Sequence, residues 1–513
     1  MTEKESDTLL FRTVLLFSVI FGLLETFAVG LTIDSKALLH YTLHMMQGGL
    51  YDRWMPANLP LPMWLFSIPA ACIVTLHVPA WLAVHVFGFF LGLLSLGLLL
   101  HSLKAHSLTL EEQHRWLSMS ACALCIAPAF FSVFSDREHL LFIFATPWLV
   151  QMLLQRKPLI STICFAAIGF CIKPYNLLIF LTVLLTAGPA GTTLKQRIFS
   201  PSAFIVGGVA LCYAFAIYFI FPDYIEKILP LSTVTYPIYR PGLLKIFAVS
   251  AIIIIPALMF VRMAQLPQQQ YRGWYGLIAG CFLAYCLNGY WVYALYLVVY
   301  PLSFTLLMAL HACHKKKISF GSGLLYIAII VFLSLSIGHL TLDITSTRKE
   351  GYAFNYPYLP DTLLQELRAE AGKEFILIAQ VPWGSTIEGT AQPPASVFAY
   401  NDMIWPLVWL MKNPDDPRTP HIWHMAITEA LLRAINDYPD ATIIEDESPN
   451  QKVYELDINI FSYIQRDPEI QKALASYERK KIIDHCTARL QFHMCRYGIW
   501  RRRNTNSTAT GGL

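Results

Sequence analysis

Three polar clusters interrupt an otherwise apolar chain, and their residue types suit the handling of a phosphate or a hydroxyl proton. The first stretch runs Thr32-Ile33-Asp34-Ser35-Lys36, then His40-Tyr41, Gly48-Gly49-Leu50-Tyr51-Asp52-Arg53 and Asn58-Leu59-Pro60-Leu61-Pro62. Asp34 follows directly on a long apolar run. A carboxylate held where a crossing helix leaves the bilayer is placed to take a proton from a hydroxyl. Its structural alternative is an ion pair with Lys36, since ion-pair networks also put acids at such positions.

The second cluster, Ser135-Asp136-Arg137-Glu138-His139, is wedged between two apolar runs. Charge at that depth is costly enough to mark function. Arg137 is either a phosphate ligand or the partner of Glu138 or Asp136. Lys173-Pro174-Tyr175 has no acid beside it in sequence, which points Lys173 to a phosphate or a lipid headgroup. The third cluster is Asn288-Gly289-Tyr290-Trp291-Val292-Tyr293, with Tyr236, Tyr239 and Arg240 in the loop before it. Aromatic residues at a bilayer surface are anchors in the first place. Their rings also suit the CH faces of a sugar.

The elements that position these clusters follow from composition. Of 513 residues, 55% are hydrophobic and 14% charged, where soluble domains carry about 25% charged residues. Lipid must be the main solvent. The net charge of +4 is mild and the basic residues lie in short loops, which excludes nucleic acid as a partner. About eleven runs qualify as crossings: 8–31, 79–103, 116–134, 140–154, 159–172, 175–187, 202–221, 244–262, 273–289, 291–311 and 319–341. Lys4 and Arg12 flank the first, which lacks a small-residue cleavage site and reads as a retained helix.

Starting inside, every inner loop is basic: Lys104 and Arg115, Arg156 and Lys157, Lys195 and Arg197, Arg262 and Arg272, and Lys315 to Lys317. Residues 62–78, punctuated by prolines, are expected to lie in the interface. The expected fold is an α-helical polytopic membrane protein. Residues 1–341 form the transmembrane domain with an outer first loop at 32–78, and 342–500 a small extracytoplasmic α/β domain. That domain has strands at Phe375 to Ala379 and Ala441 to Ile444, and a helix at Ala426 to Ile435. Residues 222–242 read as a loop and 501–513 as a disordered tail. Cys122 and Cys125 sit in an apolar run and read as structural, whereas Cys486 and Cys495 could pair as a disulfide if their tail faces an oxidising compartment.

An apolar first helix, an outer Asp34, the Gly48-Gly49-Leu50-Tyr51-Asp52 step and the Asn58-Leu59-Pro60-Leu61-Pro62 turn occur here in an order that resembles the GT-C membrane glycosyltransferases. The resemblance is especially to the bacterial RgtA/B/C/D-like group, which uses polyprenyl-phosphate sugars. Arg137-Glu138-His139-Leu140, with its apolar run to Pro147, and Lys173-Pro174-Tyr175 extend the resemblance. It implies transfer of a sugar from a polyprenyl-phosphate donor to a lipid, glycan or protein acceptor on the outer face of a bacterial inner membrane. The N-terminus would be cytoplasmic. Asp34 would be the catalytic base, with Asp52 a poorer match. Lys36, Tyr51, Asp52, Arg137, Glu138, His139, Lys173, Tyr175, Arg240, Tyr290 and Trp291 would line the substrate site. Many relatives carry a paired acid in a later outer loop and this chain has none there, so a divalent cation is possible but no metal ligand is assigned. The rival reading is a transporter or lipid flippase with Asp34, Glu138, His139 and Lys173 in an ion path.

Overall fold

The apolar runs fold as helices whose bounds follow the prolines and charges of the sequence. The structure, a computed structural model, describes residues 3–28, 31–46, 59–131, 133–235, 243–288, 292–315, 365–367, 369–370, 375–378, 404–447, 452–453, 456–457, 459–484 and 496–503. The bundle helices are α1 (Glu3–Ala28), α2 (Ile33–Met46), α3 (Pro60–Leu76), α4 (Ala80–Ala105), α5 (Leu110–Ala121), α6 (Arg137–Leu153) and α7 (Ile160–Cys171). They continue as α8 (Leu177–Thr186), α9 (Leu194–Ile198), α10 (Pro201–Ile220), α11 (Leu229–Thr235), α12 (Leu243–Met263), α13 (Gln268–Leu287) and α14 (Tyr296–Lys315).

Among the described residues, four stretches are long and apolar enough to cross a membrane: Thr8–Phe27, Ala80–Ala105, Leu194–Ile220 and Ile246–Met263. The eleven crossings expected from hydropathy are therefore not all present as long apolar helices. α6, α7 and α8 have 17, 12 and 10 residues. Pro174 holds Lys173 extended at φ −139° and ψ 139°, which ends α7 and delays α8. α13 has 20 residues but opens with three glutamines and carries Arg272. The run 319–341 lies outside the described residues. α3, with Pro60 and Pro62 in its first turn, is a 17-residue helix over most of the segment expected in the interface. The expected loop at 222–242 is helical as far as Thr235, through a π turn at Tyr224–Ile228 and α11. A Lys227–Asp223 ion pair at 3.2 Å supports that turn.

α6 is the innermost helix, and every one of its residues is buried. It packs against α4, α7, α13 and α14. Its ring of apolar side chains has no polar face to turn outward, and its two uncharged polar residues within the helix body are satisfied inside. The Thr146 hydroxyl lies 2.7 Å from that of Tyr300. Gln151 donates to the Thr162 hydroxyl at 2.8 Å and accepts from the Leu159 N–H at 2.8 Å. Phe142 stacks on Tyr300 with centroids 3.6 Å apart. Between α8 and α13 the backbones approach so closely that a Cβ on Gly276 would fall 1.8 Å from Thr186 Oγ1. Small residues at such seams allow close contact where apolar surroundings supply no separate driving force.

The described part of the C-terminal region is a mixed sheet with helices. β1 (Phe375–Ile378) runs parallel to β2 (Thr442–Asp446), which pairs antiparallel with β6 (Arg496–Arg502), and β6 with β5 (Tyr477–Asp484), in the order β1-β2-β6-β5. A two-stranded ribbon joins β3 (Lys452–Val453) to β4 (Leu456–Asp457). Five helices accompany the sheet: α15 (Ile404–Lys412), α16 (Thr419–Trp423), α17 (Glu429–Asp437), α18 (Ile460–Ile464) and α19 (Pro468–Leu474). Their core gathers Ile376, Ile443, Leu431 and Tyr477, and takes in Leu231 of α11. Lys227 reaches Glu429 at 3.6 Å, so the sheet domain rests on the α11 segment. Arg501 and Arg502, expected in the tail, instead close β6, because the strand needs them to pair with Glu478 and Tyr477. Residues 504–513 and both Cys486 and Cys495 lie outside the described residues.

Candidate active site

The tetrad at the start of α6 is aimed by a turn that the local sequence forces. α5 runs on through a π turn at Cys122–Ile126 and a 3-10 turn at Ala127–Phe131. Pro128 has no N–H, so neither the Leu124 carbonyl four residues back nor the Ala123 carbonyl five back can bond to it. Side chains take over both. His139 Nε2–H donates to the Leu124 oxygen at 2.7 Å, and the Tyr296 hydroxyl to that of Ala123 at 2.8 Å. His139 Nδ1 accepts the Ser135 N–H at 2.9 Å. Both ring nitrogens are thus engaged, and the imidazole is neutral with its proton on Nε2. Ser135 adopts φ +67°, a left-handed conformation unusual for a residue with a Cβ. Its side chain is pressed to α4, where a Cβ on Gly88 would fall 2.1 Å from Ser135 Oγ.

The first turn of α2 meets this tetrad. Thr32 accepts the Ser35 N–H at 3.0 Å, the position of a helix cap, and donates to Asp136 at 2.7 Å. Ser35 donates its hydroxyl to the same Asp136 oxygen. Asp34 lies in that first turn, where the helix terminus favours an anion, and forms an ion pair with Arg137. Burial, with the Asp34 carboxylate nearby, raises Asp136 to about 7.

One residue further along, Glu138 forms an ion pair with Lys173 and accepts from Asn288 Nδ2 at 3.1 Å. The Asn288 side-chain oxygen in turn accepts from Tyr175 OH, and from Lys173 at 3.3 Å. α2, α6, the turn before α8 and the end of α13 therefore share one buried layer at one end of the bundle. Its carboxylates differ in access: Asp34 is 32% exposed in its side chain, Glu138 2%. Asp136 is buried as well.

Of the residues expected at the site, Asp34, Arg137, Glu138, His139, Lys173 and Tyr175 come together. Two expectations about pairing are corrected. Arg137 forms its ion pair with Asp34, 103 residues away in sequence. Lys173, which has no acid beside it in sequence, meets Glu138, 35 residues away. His139 serves the fold through its two hydrogen bonds. Lys36 is on α2, its side chain outside the described residues, as are Tyr51, Asp52, Tyr236, Tyr239, Arg240, Tyr290 and Trp291. Asp136, Asn288, Thr32 and Ser35, each inside one of the three polar clusters but given no role of its own there, complete the layer. Thr32 carried a signal, since a threonine directly before a helical run reads as an N-cap. Asn288 carried none beyond its place in a turn.

Among the described residues no group of three His, Cys, Asp or Glu side chains is placed to hold a metal ion. Among the described residues the layer's carboxylates are each held by a cation or by hydroxyl donors. Compared with protein-family models and with curated proteins, the chain matches none.

Proposed function

We propose that the protein is a membrane glycosyltransferase that moves a sugar from a polyprenyl phosphate to an acceptor hydroxyl, with Asp34 as general base. The observation that carries this reading is the pairing of an accessible acid with a buried guanidinium: Asp34 is the open carboxylate of the layer, and Arg137 behind it is 8% exposed. In this reading the chain crosses a bacterial inner membrane several times, and the charged layer and the sheet domain face outward.

The chemistry needs one base. The acceptor oxygen attacks the anomeric carbon, the bond from that carbon to the phosphate oxygen breaks, and the electron pair leaves with the phosphate. The acceptor proton passes to Asp34. A phosphate departs as an anion without protonation, so the second carboxylate that glycoside hydrolysis requires is not needed. Arg137 offers a planar fork matched to phosphate oxygens, and in binding the donor it exchanges Asp34 for the phosphate. The exchange frees the base when substrate arrives. Lys173 adds positive charge to the same layer while anchored on Glu138. The apolar seams between helices suit a polyprenyl chain, whose burial supplies much of the donor's binding.

A transporter or flippase is less well supported. Its ion path would use His139, whose nitrogens are both committed to backbone groups, and Glu138, which is tied to Lys173 and Asn288. The test is reconstitution of the purified protein with a panel of radiolabelled polyprenyl-phosphate sugars and a membrane glycolipid extract. Label should pass to the extract from at least one donor with wild type and drop sharply with Arg137→Ala. No transfer from any donor by folded protein would sink the proposal and make solute flux the next assay.

A further inference from the structure

At the end of the bundle opposite the charged layer, a cavity of about 600 Å³ opens where the C-terminus of α4, the turn between α6 and α7, and the start of α10 meet. Lys157 and Arg197 line it, and no Asp or Glu does. Three hydrogen bonds hold Arg197 in place, among them Nη1 to the Leu185 carbonyl at 3.2 Å and Nε to Thr192 Oγ1 at 3.2 Å. Its charge is therefore fixed at the cavity, whereas Lys157 is exposed and free to reach across. His106 also lines the space, and its Nε2 is buried without a hydrogen-bond partner in the described residues.

Two helices begin at the cavity. Leu159 precedes α7, and Ser200 and Pro201 open α10. Helix N-termini carry partial positive charge, which favours an anion. The remaining lining is apolar, through Met152, Ile163 and Leu184. At the rim Ile160 and Phe199 are 58% and 62% exposed. Leu194 and Ile198 of α9 are exposed alongside the basic Lys195. Uncontested positive charge beside exposed apolar side chains matches an amphiphile better than a soluble anion.

We propose that this cavity binds the phosphate-ester headgroup of an anionic membrane lipid, whose chains lie over Ile160, Phe199 and α9. The site is separate from the charged layer and does not depend on the reaction proposed for it.

The test uses the full chain in a zwitterionic detergent, with fluorescent phosphatidylglycerol and phosphatidylcholine of identical acyl chains, and inorganic phosphate as competitor. Phosphatidylglycerol should bind about tenfold or more tightly than phosphatidylcholine, and Lys157→Glu should remove most of that preference, since each basic residue near a lipid surface contributes about fivefold. Lys157 is exposed and its replacement leaves the packing alone. Ile163→Trp, which fills the cavity, should weaken binding of the anionic lipid while Lys157 remains. Equal binding of the two lipids, or undiminished binding in both variants, overturns the proposal. Displacement of the lipid by inorganic phosphate at equal concentration would assign the cavity to a soluble anion and overturn the lipid assignment.

Discussion

Arg137 with Asp34 and Lys173 with Glu138 use the same chemistry as Arg418 with Asp416 and Arg501 with Glu370, in opposite surroundings. The cations of the bundle pairs are 8% and 11% exposed in their side chains, those of the sheet-domain pairs 57% and 50%. An exposed pair contributes about 0–1 kcal/mol, because water already solvates both partners. A buried pair starts from a desolvation penalty of several kcal/mol per ion, which the mutual attraction offsets only when further hydrogen bonds complete the geometry. The bundle supplies those bonds: Asn288 bridges Glu138 and Lys173, and Thr32 and Ser35 hold Asp136. Apolar side chains of similar size would give comparable stability at less risk. Charges kept at such a place are what the proposed function would use.

The comparison breaks first at Glu138. Glu138→Ala strands a buried Lys173, and unfolding of the detergent-solubilised protein should show a loss of about 3–5 kcal/mol. Pairing Glu138→Leu with Lys173→Met should recover most of it. A single-variant loss below about 1 kcal/mol would put the buried pair in the same class as the exposed ones.

Next is a pH dependence. Asp136 rises from 3.8 to about 7 in the folded protein, so between those values the folded state keeps a proton that the unfolded chain has released. Its contribution to stability therefore falls as pH rises from about 4 to about 7 and is level above that. Thermal unfolding across this window should show the slope in wild type and lose it in Asp136→Asn. An identical slope in both would assign it to another group.

A smaller loss is expected for Tyr296→Phe, which removes the donor to the Ala123 carbonyl; about 1–3 kcal/mol follows from leaving a buried oxygen without its bond. Arg418→Ala should leave the denaturation midpoint unchanged, and a measurable shift there would show that exposure alone does not separate the two classes of pair.

Much of this arrangement was legible in the chain. The Asp136-to-His139 tetrad stood out because charge between two apolar runs has few structural excuses, and α6 begins at Arg137 as that break implies. The sheet strands β1 and β2 fall in the apolar runs that signalled them. Pairing across the layer was not legible. Arg137 and Lys173 find their acids 103 and 35 residues away, and local spacing holds no information about which helix ends meet. Counting crossings by hydropathy also overreached. Runs such as 159–172 and 175–187 are apolar but give helices of only 12 and 10 residues, and composition says nothing of a π turn such as Cys122–Ile126 that interrupts the helix.

The central claim is that Asp34 performs the proton transfer at this layer. Sugar transfer and donor binding, measured on the same preparation of wild type and Asp34→Asn, test it most directly. The account predicts a loss of transfer of about 10²–10⁴-fold, the range that general-base catalysis contributes, with donor binding kept within a few-fold. Transfer by Asp34→Asn at the wild-type rate would contradict it.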